Sequence, residues 1–229
     1  MKRPKFLTSQ EIEGAAVRVL GAYRRQSQQP LVPALPMEEI IAMQASLDFR
    51  FVVMRERFAS DEILGALNVI ERIIYVDESL DPDMHPEKEG RYRFTIAHEL
   101  GHWVLHRQDV ASAAQGSLFL EDDGGRILCR ASQRYQPREW QANQFAAYVL
   151  MPTELLRDEW PRIAGKADPV LLSLREVMNK RWSLGEDYLP AHPLARQMAQ
   201  RFHVSNQAMQ IRLEGMGLMV SASDAPMTL

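Results

Sequence analysis

Apolar residues recur at three- and four-residue spacing through Ile12, Ala15, Ala16, Val19, Leu20 and Tyr23. This stripe predicts an amphipathic helix over about residues 9–25, with Thr8 or Ser9 as its N-cap. It ends at QSQQPLVPALP, a linker punctuated by Pro30, Pro33 and Pro36, because proline cannot continue a helix. MEEIIAMQAS, residues 37–46, predicts a short helix. The pattern then changes period. LDFRFVVM, ILGALNV and RIIYVD are rich in β-branched residues and predict strands, the second and third close enough to form a hairpin. A polar, proline-bearing loop over residues 78–90 leads to FTIAHELGHWVLHR, residues 94–107, a predicted helix.

Beyond it, SLFLEDDGGRILC predicts two short strands around an Asp-Gly-Gly turn. A helix from Pro137 to Met151 is bounded by Pro137 in its first turn and Pro152 after its last. VLLSLREVMNKRW, residues 170–182, predicts another helix, and two short ones follow between Pro193 and Gly215, separated by His203, Val204 and Ser205. The fold class is α+β, a small twisted sheet beside a helical core. The expected organisation is a first domain over residues 1–156, a helical connection over 157–190, a helix-turn-helix-like segment over 191–220 and a flexible tail over 221–229.

Composition alters this picture little. A hydrophobic content of 46% and a charged content of 25% suit a globular chain that buries a core. The net charge of −3 advertises neither nucleic acid nor an anionic membrane as a partner. Cys129 is the single cysteine, so no internal disulfide framework exists and a reducing compartment is expected. The basic start, MKRPKFLTSQE, is not followed by the apolar run of a secretory signal, and no segment approaches membrane-spanning length. A cytoplasmic location with no membrane partner is the expectation.

The helix over 94–107 changes the picture. It is apolar enough to be buried, yet it carries His98, Glu99, His102 and His106. At ~3.6 residues per turn, His98 and His102 point about 40° apart, and Glu99 lies about 60° beyond His102. Two imidazoles therefore aim at one point with a carboxylate beside it. That is the arrangement of a hydrolytic zinc site, in which the histidines hold the metal and the glutamate takes a proton from water. Gly101 allows a close approach by a neighbouring backbone. His106 is too far along the helix to share the ion with His98, since eight residues span about 12 Å. It is expected at the helix C-terminus, meeting free carbonyls.

The third ligand must come from elsewhere, with Glu121, Asp122, Asp123, Cys129 and Glu139 as candidates. Asp122 and Asp123 suit the glycine turn, and Cys129 a buried strand. In REWQANQFAAYVLMP, positions 139, 142, 143, 146, 149 and 150 form one stripe whose polar intruders are Glu139 and Asn143. A carboxylate on a core-facing surface needs a cation, either a metal or an arginine such as Arg93 or Arg138. The set favoured is His98, His102 and Glu139, with water in the fourth position and Asn143 orienting a ligand histidine. Glu99 is the catalytic base. Tyr148, Tyr135, His106 and Arg93 are all conceivable donors to the oxyanion.

RFTIAHELGHWVLH, residues 93–106, and EWQANQFAAYVLMP, residues 139–152, together resemble the ImmA/IrrE family of zinc metallopeptidases. LARQMAQRFHVSNQAMQIRLEGMGL, residues 194–218, resembles the family's helix-turn-helix-like segment. The resemblance implies a zincin-like fold, Zn2+ held by His98, His102 and Glu139, and Glu99 as catalytic glutamate. It also implies cleavage of a helix-turn-helix transcriptional repressor in a DNA-damage, stress or mobile-element response. Relatives often carry a further acidic residue near Gln141. In the C-terminal pair, Asn206, Gln207, Gln210 and Arg212 would face DNA, with Arg196, Arg201 and Arg212 near phosphates. That basic stripe is thin, so DNA is the less expected partner. A regulatory binding module with a structural metal and a zinc amidase are the alternative functions.

Overall fold

The computed structural model describes residues 6–45, 47–58, 63–116, 126–130, 136–172 and 191–221. The chain divides into two compact units, Met1–Leu150 and Met151–Leu229. The mixed α+β class holds, mostly helical with a small sheet.

In the first unit, α1 (Ser9–Ser27) starts at a capping box. The Thr8 hydroxyl accepts from the Glu11 amide, and the Glu11 carboxylate accepts from the Thr8 amide, satisfying two otherwise orphaned donors. Its apolar stripe is buried as predicted and packs against α5 (Pro137–Leu150). α2 (Met37–Ala45) follows the proline linker.

The sheet among the described residues has the order β1 (Asp48–Val52), β3 (Ile73–Asp77), β2 (Ile63–Asn68), β4 (Arg126–Arg130). β2 and β3 form the expected antiparallel hairpin, while β1 runs parallel to β3. Asn68 shapes the hairpin turn, its Oδ1 accepting from the amides of Ile70 and Glu71. Arg72 supplies the left-handed residue at φ 57°. β1 is shorter than the apolar run implied. Asp77 accepts a hydrogen bond from the Met54 amide and so helps start α3 (Met54–Phe58), a helix hidden in the sequence by the apolar Val52-Val53-Met54.

α4 (Glu89–Gly116) lies across β2 and β3 with Ile96, Ala97 and Leu100 buried, and α5 packs on it. The polar loop before α4 contains two single 3-10 turns, at Glu78–Leu80 and Pro86–Lys88. Of the strands expected around the Asp-Gly-Gly turn, β4 pairs antiparallel with β2. The first of them lies in residues 117–125, outside the described residues.

The second unit opens with α6 (Thr153–Ala164), which continues through Pro161 and buries Leu155, Leu156 and Trp160. Residue 156, expected to close the first domain, lies within this helix. Val170–Leu172 was expected to begin a helix but forms β5, parallel to β6 (Met219–Ser221). That pairing supplies backbone partners that a lone segment after Pro169 lacks. Ser221, expected to open the tail, closes β6. The rest of the predicted helix, within residues 173–190, and residues 222–229 are outside the described residues.

α7 (Pro193–Phe202) and α8 (Asn206–Gly215) are joined through His203, which stands at φ 53° and ψ 49° where glycine is commoner. Several side chains expected to face DNA tie this unit together instead. Arg212 donates to the Met151 carbonyl and the Thr153 hydroxyl. Gln210 accepts from the His192 amide and donates to Glu214. Arg201 pairs with Glu159 at 3.4 Å. Among the described residues, no helix is long and apolar enough to cross a membrane.

Candidate metal centre

His98, Glu99 and His102 project from the middle of α4, and Glu139 from the first turn of α5. The structure brings His98, His102 and Glu139 into one buried cluster. The two Nε2 atoms stand 3.0 Å apart. One oxygen of Glu139 lies 3.3 Å from Nε2 of His98, and its other oxygen 3.3 Å from Nε2 of His102. A tetrahedral ion with ligands at ~2.0–2.1 Å has donor atoms about 3.3 Å apart, so the spacing fits a divalent ion such as zinc.

The far side of each ring is also engaged. Nδ1 of His98 is 2.8 Å from Oδ1 of Asn143, so the ring donates there and turns an Nε2 lone pair inward. Nδ1 of His102 is 3.1 Å from Nδ1 of His106. The Glu139 oxygens and, with this tautomer, the Nε2 lone pair of His98 thus face one point, where a cation would relieve their repulsion.

The electrostatics agree at two of the three groups. Burial resists charge on Glu139, but the His102 and His98 rings outweigh it and hold the carboxyl down at about 2. Burial pushes His102 down to about 4, against the pull of Glu139. Burial opposes a charge on His98 as well, yet the hydrogen bond it donates to Glu139 and the charges of Glu99 and Glu139 leave it raised. A charged carboxylate and a neutral His102 are the forms in which those two groups bind a metal, whereas His98 must give up its proton to do so.

Glu99 is completely buried on the sheet side of the cluster. A Cβ placed on Gly65 of β2 would lie 2.5 Å from Oε1 of Glu99 and 2.6 Å from the Thr95 methyl. The carboxylate therefore fills the space that any other residue at 65 would occupy. Gly101 serves the other contact, where its Cα faces the backbone of Ala142 on α5.

Arg93, offered as a partner for Glu139 and as an oxyanion donor, donates instead to the Leu35 carbonyl at 2.7 Å. Glu121, Asp122, Asp123 and Tyr135 lie outside the described residues, and Cys129 lies on β4. His106 corrects the sequence reading. It is not at a helix end, because α4 continues to Gly116, and it is buried with Nε2 3.0 Å from Oε1 of Gln141. Sequence reasoning missed Gly65 and Gln141. The available signals were a glycine inside an apolar strand and a glutamine inside a core-facing helix.

A buried cluster able to hold a metal ion, with a carboxylate adjacent to the first histidine, is the arrangement of HExxH metallopeptidases as a class. The sequence pattern of the Peptidase M78 family, described as an IrrE N-terminal-like domain, matches residues 48–214, and the chain belongs to that family. No curated protein matches it. A solved chain described as a Mycobacterium tuberculosis transcriptional regulator is similar at 15% identity with a TM-score of 0.46. That alignment covers 90% of this chain and 46% of the other, so this chain spans about half of that structure's length.

Proposed function

We propose that this protein is a zinc-dependent endopeptidase that cleaves a helix-turn-helix transcriptional repressor. The observation that carries the peptidase reading is the convergence of His98, His102 and Glu139 with Glu99 buried alongside. The substrate class follows from the family likeness of residues 93–106 and 139–152. His98, His102 and Glu139 would hold the zinc, and Asn143 keeps the His98 ring turned towards it. When bound, the ion supplies Lewis acidity, lowering the pKa of water to ~7 and polarising the scissile carbonyl.

Glu99 accepts the proton of the attacking water and delivers it to the leaving amine nitrogen. Its burial beneath the cluster keeps bulk water from competing for that proton. A purely structural metal has no use for such a carboxylate.

The test is Glu99→Gln, with zinc content measured by elemental analysis and cleavage followed against the repressor encoded nearest the gene. The variant should keep one zinc per chain and lose cleavage by at least ~100-fold. Intact repressor under every metal condition with the wild-type protein would reject the endopeptidase reading. Full activity in the variant would reject the role of Glu99.

A further inference from the structure

The mechanism above gives His106 and Gln141 nothing to do, yet both are buried and joined in line to a proposed ligand. The chain of contacts runs from Nδ1 of His102 to Nδ1 of His106 at 3.1 Å, then from Nε2 of His106 to Oε1 of Gln141 at 3.0 Å. We propose that His106 and Gln141 are positioning residues that fix the Nδ1–H tautomer of His102, so that its Nε2 lone pair is already bare and aimed at the metal. This rests on the metal-site reading above.

An amide oxygen can only accept, so the hydrogen between His106 and Gln141 belongs to Nε2 of His106. A neutral imidazole donates from one nitrogen and accepts at the other, which makes Nδ1 of His106 an acceptor. The hydrogen between the two Nδ1 atoms therefore belongs to His102. Nε2 of His102 then carries no hydrogen and faces Glu139 and His98 as a lone pair. Which ring nitrogen of a histidine is free depends on the bond its other nitrogen makes, and here that bond is set two residues away. His98 reaches the same state in one step through Asn143.

The uncharged end of the line has a chemical consequence. Glu99 and Glu139 already place two carboxylates at the site. A third carboxylate at position 141 would also order the tautomers, but would further offset the charge of the ion. A glutamine orders them while leaving that charge in place.

The experiment compares wild type with His106→Phe, Gln141→Met and Gln141→Glu in the full chain. Zinc affinity is read by competition with a fluorescent chelator. Ring tautomers are read from nitrogen-15 spectra of the zinc-free protein. Wild type should bind one zinc and show His102 as the Nδ1–H form. His106→Phe and Gln141→Met should weaken zinc by about 10–100-fold and return His102 to a tautomer mixture. Gln141→Glu, which keeps an acceptor in place, should bind at least as tightly as wild type.

Wild-type affinity in Gln141→Met, or an Nε2–H form of His102 in the wild type, overturns the relay while leaving the metal site standing. Wild type that binds no zinc overturns both. Melting in excess chelator separates ordering from packing. If Gln141→Glu matches Gln141→Met in lost affinity and lost stability, the residue merely fills space and the proposal fails. Should His106→Phe not fold, the two Gln141 variants decide alone.

Discussion

At the scale of single residues, buried Gly65 on β2 has no room for a side chain. Its missing side chain is the room in which Glu99 sits, and the neighbours that a Cβ would meet are the Glu99 carboxylate and the Thr95 methyl. Neither can retreat far, because both belong to the helix face pressed against the sheet, and Glu99 is fully enclosed. Gly65→Ala should therefore displace the proposed base by roughly an ångström without touching His98, His102 or Glu139. A misplacement of that size costs about 100-fold in rate. We expect zinc stoichiometry to stay at wild-type level while kcat falls by about that factor. Normal kcat in a folded, zinc-loaded Gly65→Ala protein would show that Glu99 tolerates the shift and that its placement is not critical.

Elements were legible in the sequence where one periodic pattern spanned the whole of them. α1 and α5 carry a helical apolar stripe with clear end signals, the β2–β3 hairpin carries short apolar runs around a turn, and the structure keeps them. Elements that depend on a distant partner were not legible. α3 relies on the Asp77 carboxylate 23 positions later, and β5 relies on β6 almost 50 residues away. The candidate site divides in the same manner. The local pair His98–His102 follows from helix geometry alone, and Glu139 stands out as a charge on an apolar face. Gln141 is visible only as a glutamine in a core-facing helix, and its role depends on a histidine of another helix.

The same long-range logic ties α4 to α2. The hydroxyl of buried Tyr92 donates to Glu38 at 2.6 Å. Burial first, and then that carboxylate, push the Tyr92 hydroxyl above its ordinary pKa of 10.0. The unfolded chain releases this proton near pH 10, whereas the folded chain retains it. Above that pH the folded state binds more protons, so stability falls as pH rises, by about 1.4 kcal/mol per pH unit for one such group. The contribution is fully present below about pH 10. Urea unfolding followed between pH 9 and about 11 should show this slope, and Tyr92→Phe should remove one proton's share of it. An unchanged slope in the variant would mean that the tyrosine ionises equally in both states.

On the scale of the whole molecule, the four residues of the proposed chemistry all lie in the unit Met1–Leu150, although the family match extends to residue 214. The metal then acts as a cross-link between two helices of one unit, joining α4 to α5 where Gly101 already brings their backbones close. A ligand that binds only the folded state stabilises it by mass action, by about 2.7 kcal/mol at a hundred times its Kd. For a chain of this size each kcal/mol moves Tm by about 2–4 °C. Zinc removal by chelator should lower Tm by roughly 5–10 °C, and re-addition of zinc should restore it. Hydrogen exchange gives the finer reading. Amides of α4 and α5 should lose protection in chelator before those of α7 and α8, since only the former are bridged by the ligand set. Uniform loss across both units would mean that the ion supports the entire chain rather than the helix pair. An unmoved Tm would mean that zinc adds nothing to the contact between α4 and α5 in the folded state.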